Sequence, residues 1–203
     1  MSALESISYL LVAVYLLSFF ALTAVAQRAA GRSVWLFGRG TEKQTLPALL
    51  FRFAFVGAAL WPLIRLTTGD VPENDPIRRL LDGDWFDVLG HLLIAIGACI
   101  AILSQRHMGA NWRIGAAEGE VGAIVDDGPF ALSRNPVFLG QALLFVGLFF
   151  VFPGIVSLAL TVALLVAIHL QVMIEERVLT ASLGEPYIGY MQRVPRWLGI
   201  GPG

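Results

Sequence analysis

Five stretches of this chain, residues 7–26, 46–66, 86–103, 137–152 and 154–173, are long, apolar and almost uncharged. Each approaches or reaches the ~20 residues that a helix rising ~1.5 Å per residue needs to cross ~30 Å of hydrocarbon. Of the 203 residues 57% are hydrophobic and only 14% charged, and one apolar solvent, lipid, accounts for that balance. The chain is therefore expected to be all-α: a polytopic membrane protein with about five transmembrane helices, a tight C-terminal helical hairpin and a cytosolic amphipathic C-terminal segment. No repeat, low-complexity tract or linker separates soluble parts. Residues 1–203 read as one integral membrane domain, with three spans in 1–111 and a loop, the hairpin and the C-terminal segment in 112–203.

The first run ends near Ala24-Val25-Ala26, which looks like a signal-peptide cleavage site. No Lys or Arg precedes it and it exceeds the usual ~7–15-residue apolar core of such peptides, so it is read as a retained span. Charge is informative through its position. Arg28, Arg32, Arg39 and Lys43 lie between the first two spans, Arg106, Arg113 and Arg134 between the third and fourth, and Arg177, Arg193 and Arg196 after the fifth. The alternate side holds only Arg78 and Arg79, with Arg52 and Arg65 inside the second span. The positive-inside rule then places the N-terminus outside and the C-terminus in the cytosol. Arg52 reads as a side chain that snorkels to the cytosolic surface and Arg65 as interfacial. A net charge of -1 offers no basic surface for nucleic acid. Cys99, the one cysteine, reads as a small core residue. His91 and His107 lack a second ligand at helical spacing, so no metal site is expected.

Little more than Pro153-Gly154 separates the last two runs, which forces a tight antiparallel hairpin. The polar segments flanking it, GAIVDDGPFALSRNP and EERVLTASLGEPYIGYMQRVPRW, then return to the same face of the membrane. Distant residues become neighbours around one mouth, where a water-soluble molecule can meet a membrane-dissolved one.

Three constellations lie on those segments. In Arg134-Asn135-Pro136-Val137-Phe138-Leu139-Gly140, Pro136 lacks an N–H, suits a first helical turn, and pushes Asn135 towards an extended conformation. Either the helix N-terminus holds a carboxylate there, or Arg134 snorkels to head groups and Asn135-Pro136 simply starts a helix. Glu175-Glu176-Arg177, preceded by His169 and Gln171, sets two carboxylates at the expected end of the fifth span, against the sign its dipole favours. Gln171 and Glu175 share a helix face. The carboxylates either bind ribose hydroxyls or an amine, or form an interfacial charge cluster, and His169 is a candidate for lining the pocket. Finally, Gly184-Glu185-Pro186-Tyr187-(x2)-Tyr190-(x2)-Arg193-Val194-Pro195-Arg196-Trp197 places Tyr187 and Tyr190 on one face of a short amphipathic helix. Trp197 is expected at the head groups, and Trp112-Arg113 at the interface after the third span.

In order and spacing these segments, about residues 112–197, resemble the isoprenylcysteine carboxyl methyltransferases and the related phospholipid methyltransferases. The signature of those proteins runs Gly-x-Tyr, Arg-His-Pro-x-Tyr-x-Gly, an apolar hairpin, Glu-Glu, then Gly-Glu-x-Tyr-x-x-Tyr-x-x-Arg-Val-Pro. The resemblance implies that S-adenosyl-L-methionine binds between the loop before the fourth span and the segment after the fifth, and that a lipid enters sideways between helices. Carried over by position, Ile124, Val125, Phe130, Asn135, Pro136, Val137, Phe138, Glu175 and Tyr187 bind the cofactor. Gln171 falls where the eukaryotic branch has a substrate-binding arginine, and with His169 it is the candidate acceptor contact. Arg134, standing at the motif arginine, Arg113 and Glu176 are the candidate catalytic residues. Asn135 replaces the family's histidine, and Phe138 its tyrosine. With glutamine at position 171, a carboxylate acceptor lacks its usual partner unless Arg113 or Arg134 takes that role.

A sulfonium methyl is activated and a carboxylate is already a nucleophile, so transfer between them needs alignment rather than a base. An amine acceptor needs a base, for which Glu176 is the nearest candidate. The expected activity is methyl transfer from S-adenosyl-L-methionine to a lipidic acceptor, first of all a carboxylate as in isoprenylcysteine methyl esterification. Two alternatives are an NADPH-dependent membrane reductase of the sterol or steroid type, for which further basic residues are scarce, and a non-catalytic lipid-binding membrane protein. Expected partners are the bilayer and the lipidic acceptor. Gly90 and Gly97 on the third span, and Gly140 and Gly147 on the fourth, allow close helix contact within a chain or between chains.

Overall fold

A computed structural model describes residues 3–37, 43–68, 75–81, 83–117 and 119–198. These residues form α1 (Ala3–Ala30), α2 (Thr45–Thr68), α3 (Pro76–Leu80), α4 (Asp84–Met108), α5 (Pro136–Val151), α6 (Ile155–Leu183) and α7 (Glu185–Arg193). Short 3-10 turns occupy Gly109–Asn111 and Gly128–Ala131. Four helical stretches, Ala3–Ala30, Thr45–Arg65, Asp84–Asn111 and Ile155–Leu183, are long and apolar enough to cross a membrane. With 16 residues, α5 is shorter, at about 24 Å. Arg39 and the centre of the Pro- and Asp-rich connection, 69–74, lie outside the described residues. Beyond that centre, Asp75 caps α3 by accepting from the N–H groups of Ile77 and Arg78.

The long helices follow one another as an arc, α1–α4–α5–α6–α2, each packed on the next, and the two ends of the arc meet only sparsely. Tyr9 ties those ends together, its hydroxyl donating to Ala59 O at 2.6 Å. Four glycines set the closest joint of the arc. A β-carbon on Gly97 would lie 2.5 Å from Gly140 O, and one on Gly140 would lie 2.5 Å from Gly97 O. Gly90 and Gly147 oppose each other in the same way, at 2.9 and 2.6 Å. The contact that these glycines allow is therefore made within the chain, between antiparallel α4 and α5, where backbone-to-backbone packing replaces side-chain interdigitation.

The loops at one end of the arc are joined as well. Leu36 N–H donates to Ile114 O at 2.8 Å and Ile114 N–H to Val34 O at 2.7 Å, an isolated parallel bridge between the α1–α2 and α4–α5 connections. Gln44 extends it like an additional peptide unit. Its Nε2 donates to Ala116 O at 2.5 Å and its Oε1 accepts from Ala116 N–H at 2.9 Å.

Several expectations are corrected here. The apolar run of the fifth span fades near residue 173, yet α6 continues to Leu183. Residues 177–183 contain no helix breaker, and termination waits for Gly184, whose φ of 61° suits glycine. Glu175 and Glu176 thus sit about two turns inside the helix, and the dipole at its end does not bear on them. Cys99 is exposed on α4 rather than in the core, because the buried face of that helix is the one bearing Gly90, Ile94, Gly97 and Ala101. Trp112, just after the end of α4, turns its ring inward. Its Nε1 donates to Thr23 Oγ1 at 3.1 Å and its ring stands edge-on to Phe19 at 5.8 Å. Trp197 is partly buried against the core. Arg65 is buried too, its guanidinium 5.3 Å from the centre of the Phe152 ring.

Candidate functional site

The α5–α6 hairpin carries residues 133–135 and 175–176 to the same end of the arc, and the C-terminal segment folds back over them. Arg134, buried, is the hub. Its backbone N–H donates to Pro195 O at 2.9 Å, Nη1 to Met191 O at 2.9 Å and Val194 O at 3.0 Å, and Nη2 to Glu176 Oε1 at 3.0 Å. Arg196 approaches Glu176 from the other side, with Nε 3.0 Å from Oε1 and Nη2 2.7 Å from Oε2. The bonds to Glu176 hold the Arg196 pKa above the usual arginine value. Ser133 Oγ and Asn135 Nδ2 both donate to Arg196 O, at 3.2 and 3.1 Å. The RNP segment, α6 and the C-terminal segment are thereby fastened by charge-assisted and neutral hydrogen bonds into a single clasp.

α7 closes the same end. Tyr187 and Tyr190 are buried with ring centres 6.0 Å apart, and Tyr190 OH donates to Phe130 O at 2.7 Å. Burial pushes both phenols above the ordinary tyrosine pKa, with nearby Glu176 adding to the shift at Tyr187. Tyr187, Tyr190, Leu179 and Val194 form a small core with Ile124 from the α4–α5 loop packed on it.

Beneath this clasp lies a cavity of about 520 Å³. One end is polar, with Arg113, Asn135, Gln171, Glu175 and Glu176 in its wall. Gln171 is buried and its Nε2 is shared between Gln44 Oε1 at 3.1 Å and Glu175 Oε1 at 3.0 Å. Arg113 buries its Nε without a hydrogen-bond partner among the described residues. Burial draws the Arg113 pKa below the usual arginine value, and the negative charge of Glu175 opposes that shift. The two side chains make no ion pair with each other, so opposite charges border one space without neutralising one another by contact.

The other end of the cavity is apolar and runs into the gap between α1 and α2, lined by Leu16, Phe19 and Phe20 on one side and Phe51, Phe55 and Val56 on the other. Phe138 stacks on Phe51 with centres 5.9 Å apart, and Phe55 meets Phe145 edge-on at 5.1 Å. Gln141, in the same wall, donates to Tyr15 OH at 2.8 Å.

Of the residues singled out in the sequence, the cavity gathers Arg113, Ile124, Val125, Phe130, Arg134, Asn135, Pro136, Val137, Phe138, Gln171, Glu175, Glu176 and Tyr187. His169 is not among them. It lies on an exposed face of α6, where the 100° helical step from buried Ile168 turns it away. Sequence reasoning missed the contribution of α1 and α2. Aromatic residues four apart on the second span, Phe51 and Phe55, were a signal for it. Trp35 and Gln44 offered none, since an isolated bridge has no periodicity.

The model of the phospholipid methyltransferase family matches residues 85–185, which include α4, the α4–α5 loop, α5 and α6. No curated protein matches the chain. The matched half supplies the glycine seam, the hairpin, the Arg134–Glu176 pair and the Arg113 and Glu175 charges of the cavity. Built from membrane-length apolar helices around those elements, the chain belongs to the phospholipid methyltransferase family and is a membrane methyltransferase.

Proposed function

We propose that this chain transfers the methyl group of S-adenosyl-L-methionine to a lipidic acceptor, first of all the carboxylate of an amphiphile, at a mouth on the cytosolic side. The observation that carries the reading is the shape of one cavity: charged at the clasped end, apolar between α1 and α2. A water-soluble donor and an oily acceptor need such a space in common. The clustering of arginines on the connections at the clasped end favours a cytosolic mouth.

The wall suits the donor. Arg113 and Glu175, opposite in charge and not paired to each other, match the carboxylate and ammonium of a methionyl group. Ile124, Val125, Phe130 and Tyr187 offer apolar and aromatic surface for a flat adenine. When bound, S-adenosyl-L-methionine supplies an activated methyl whose carbon–sulfur bond breaks as the acceptor oxygen–carbon bond forms, the two opposite charges cancelling with no proton to remove. In this reading Gln171 orients Glu175, since its Nε2 donates to that carboxylate while Gln44 anchors it from behind. Asn135, Pro136, Val137 and Phe138 form the floor where the helix starts. Arg134 and Glu176 act by closing the site. Two guanidinium groups hold Glu176, which makes it a weak base towards an amine and favours a carboxylate acceptor.

Calorimetry on the solubilised protein tests this. S-adenosylhomocysteine is expected to bind the wild type, and Glu175→Gln to weaken it roughly tenfold or more through loss of a charged hydrogen bond. Binding of NADPH with no binding of S-adenosylhomocysteine would overturn the proposal.

A further inference from the structure

Arg52 is an exposed side chain on α2, about 10 Å from the start of the helix at Thr45, and it borders the same cavity beside the aromatic residues of that helix. Its neighbours in that wall are Phe51, Phe55 and Val56, with Phe19 and Phe20 across the gap. Arg52 makes no hydrogen bond or ion pair with any described residue. The other two cations of the wall are differently placed. Arg134 gives both terminal nitrogens to Glu176 and two backbone carbonyls, and Arg113 lies at the polar end beside Glu175. A guanidinium among hydrocarbon is costly unless an anion meets it, and no acidic side chain lines the cavity near the aromatic residues of α1 and α2.

We infer that Arg52 recognises the acceptor: it binds an anionic oxygen group, carboxylate or phosphate, on an amphiphile whose tail occupies the gap between α1 and α2. The planar fork of arginine matches both groups through paired N–H donors. The gap is suited to a tail because α1 and α2 meet only sparsely and present aromatic and aliphatic side chains to each other across it. This deepens the methyltransferase reading, and rests on it for naming the bound amphiphile a methyl acceptor.

The test uses the full chain in nanodiscs and three probes: dansyl-labelled undecanoic acid, its methyl ester, and dansyl-labelled lysophosphatidic acid. Binding is read by energy transfer from tryptophan, of which Trp35 borders the cavity. The wild type should bind at least one anionic probe roughly tenfold tighter than the neutral ester, and the tighter of the two identifies carboxylate or phosphate. Arg52→Gln should erase that preference while leaving the affinity for the ester unchanged, and Arg52→Lys should keep part of it. Binding of both anionic probes no tighter than the ester by the wild type, or an undiminished preference in Arg52→Gln, overturns the inference. S-adenosylhomocysteine affinity, measured on the same three proteins, should not vary among them. Its absence from the wild type defeats the methyltransferase reading separately, since the probe preference is measured without it.

Discussion

Arg134 shows how a single side chain determines whether the site exists. It joins three segments through its backbone and both terminal nitrogens, and its loss would strip Met191 O and Val194 O of their buried donor and leave Glu176 to Arg196 alone. Arg134→Ala is expected to destabilise the protein by about 3 kcal/mol or more, seen as a lower melting temperature in detergent. Glu175→Gln should leave that melting temperature nearly unchanged while weakening S-adenosylhomocysteine, a separation of stability from binding that distinguishes clasp from cavity. Tyr190 gives a pH signature. Burial raises its pKa in the folded state, so the folded chain holds the phenolic proton more tightly than the unfolded one. That contribution is complete below pH ~10 and fades as pH climbs from there through the folded pKa. Melting temperatures of the wild type should therefore fall above pH ~10 more steeply than those of Tyr190→Phe. The importance of RNP and of the paired glutamates was legible in the sequence because those residues are polar in an apolar chain. Which atoms they bond was not, since Arg134 spends its donors on backbone carbonyls that carry no sequence signal.

At the scale of helices, α4 and α5 depend on having nothing where a β-carbon would be. Gly97→Leu or Gly140→Ala places carbon about 2.5 Å from a backbone carbonyl oxygen of the facing helix. Each should cost about 1–3 kcal/mol through overpacking, with Leu at the upper end. Because the seam is internal to the chain, neither substitution should change the oligomeric state on size exclusion. The five apolar runs announced the helices, since crossing lipid demands length and hydrophobicity that can be counted. Their ends were less legible. Hydropathy falls at Glu175, whereas helix formation persists through Val178, Leu179 and Leu183, residues that pack against the mouth rather than in lipid.

For the whole molecule, the arc is thinnest between α1 and α2, and the clasp covers the polar end of the cavity that reaches that gap. The hairpin made this convergence readable, because the three residues between α5 and α6 leave the chain no other way back. The parallel bridge of Trp35 with Ile114 and the tether of Gln44 to Ala116 were not readable, though they bring the first two helices over the cavity. In a Cys99→Ala background, single cysteines at Leu132 and Gln192, both exposed, should react with an impermeant maleimide from the cytosolic side alone. A cysteine at exposed Asp84 should react from the opposite side.

The most direct measurement supplies labelled S-adenosyl-L-methionine to the protein in nanodiscs with a total lipid extract and follows the methyl group. Label should enter the organic phase and be released by mild base as methanol, as a methyl ester requires, and should be lost in Glu175→Gln. No transfer at all, or label that survives base on an amine, would contradict methyl transfer to a carboxylate.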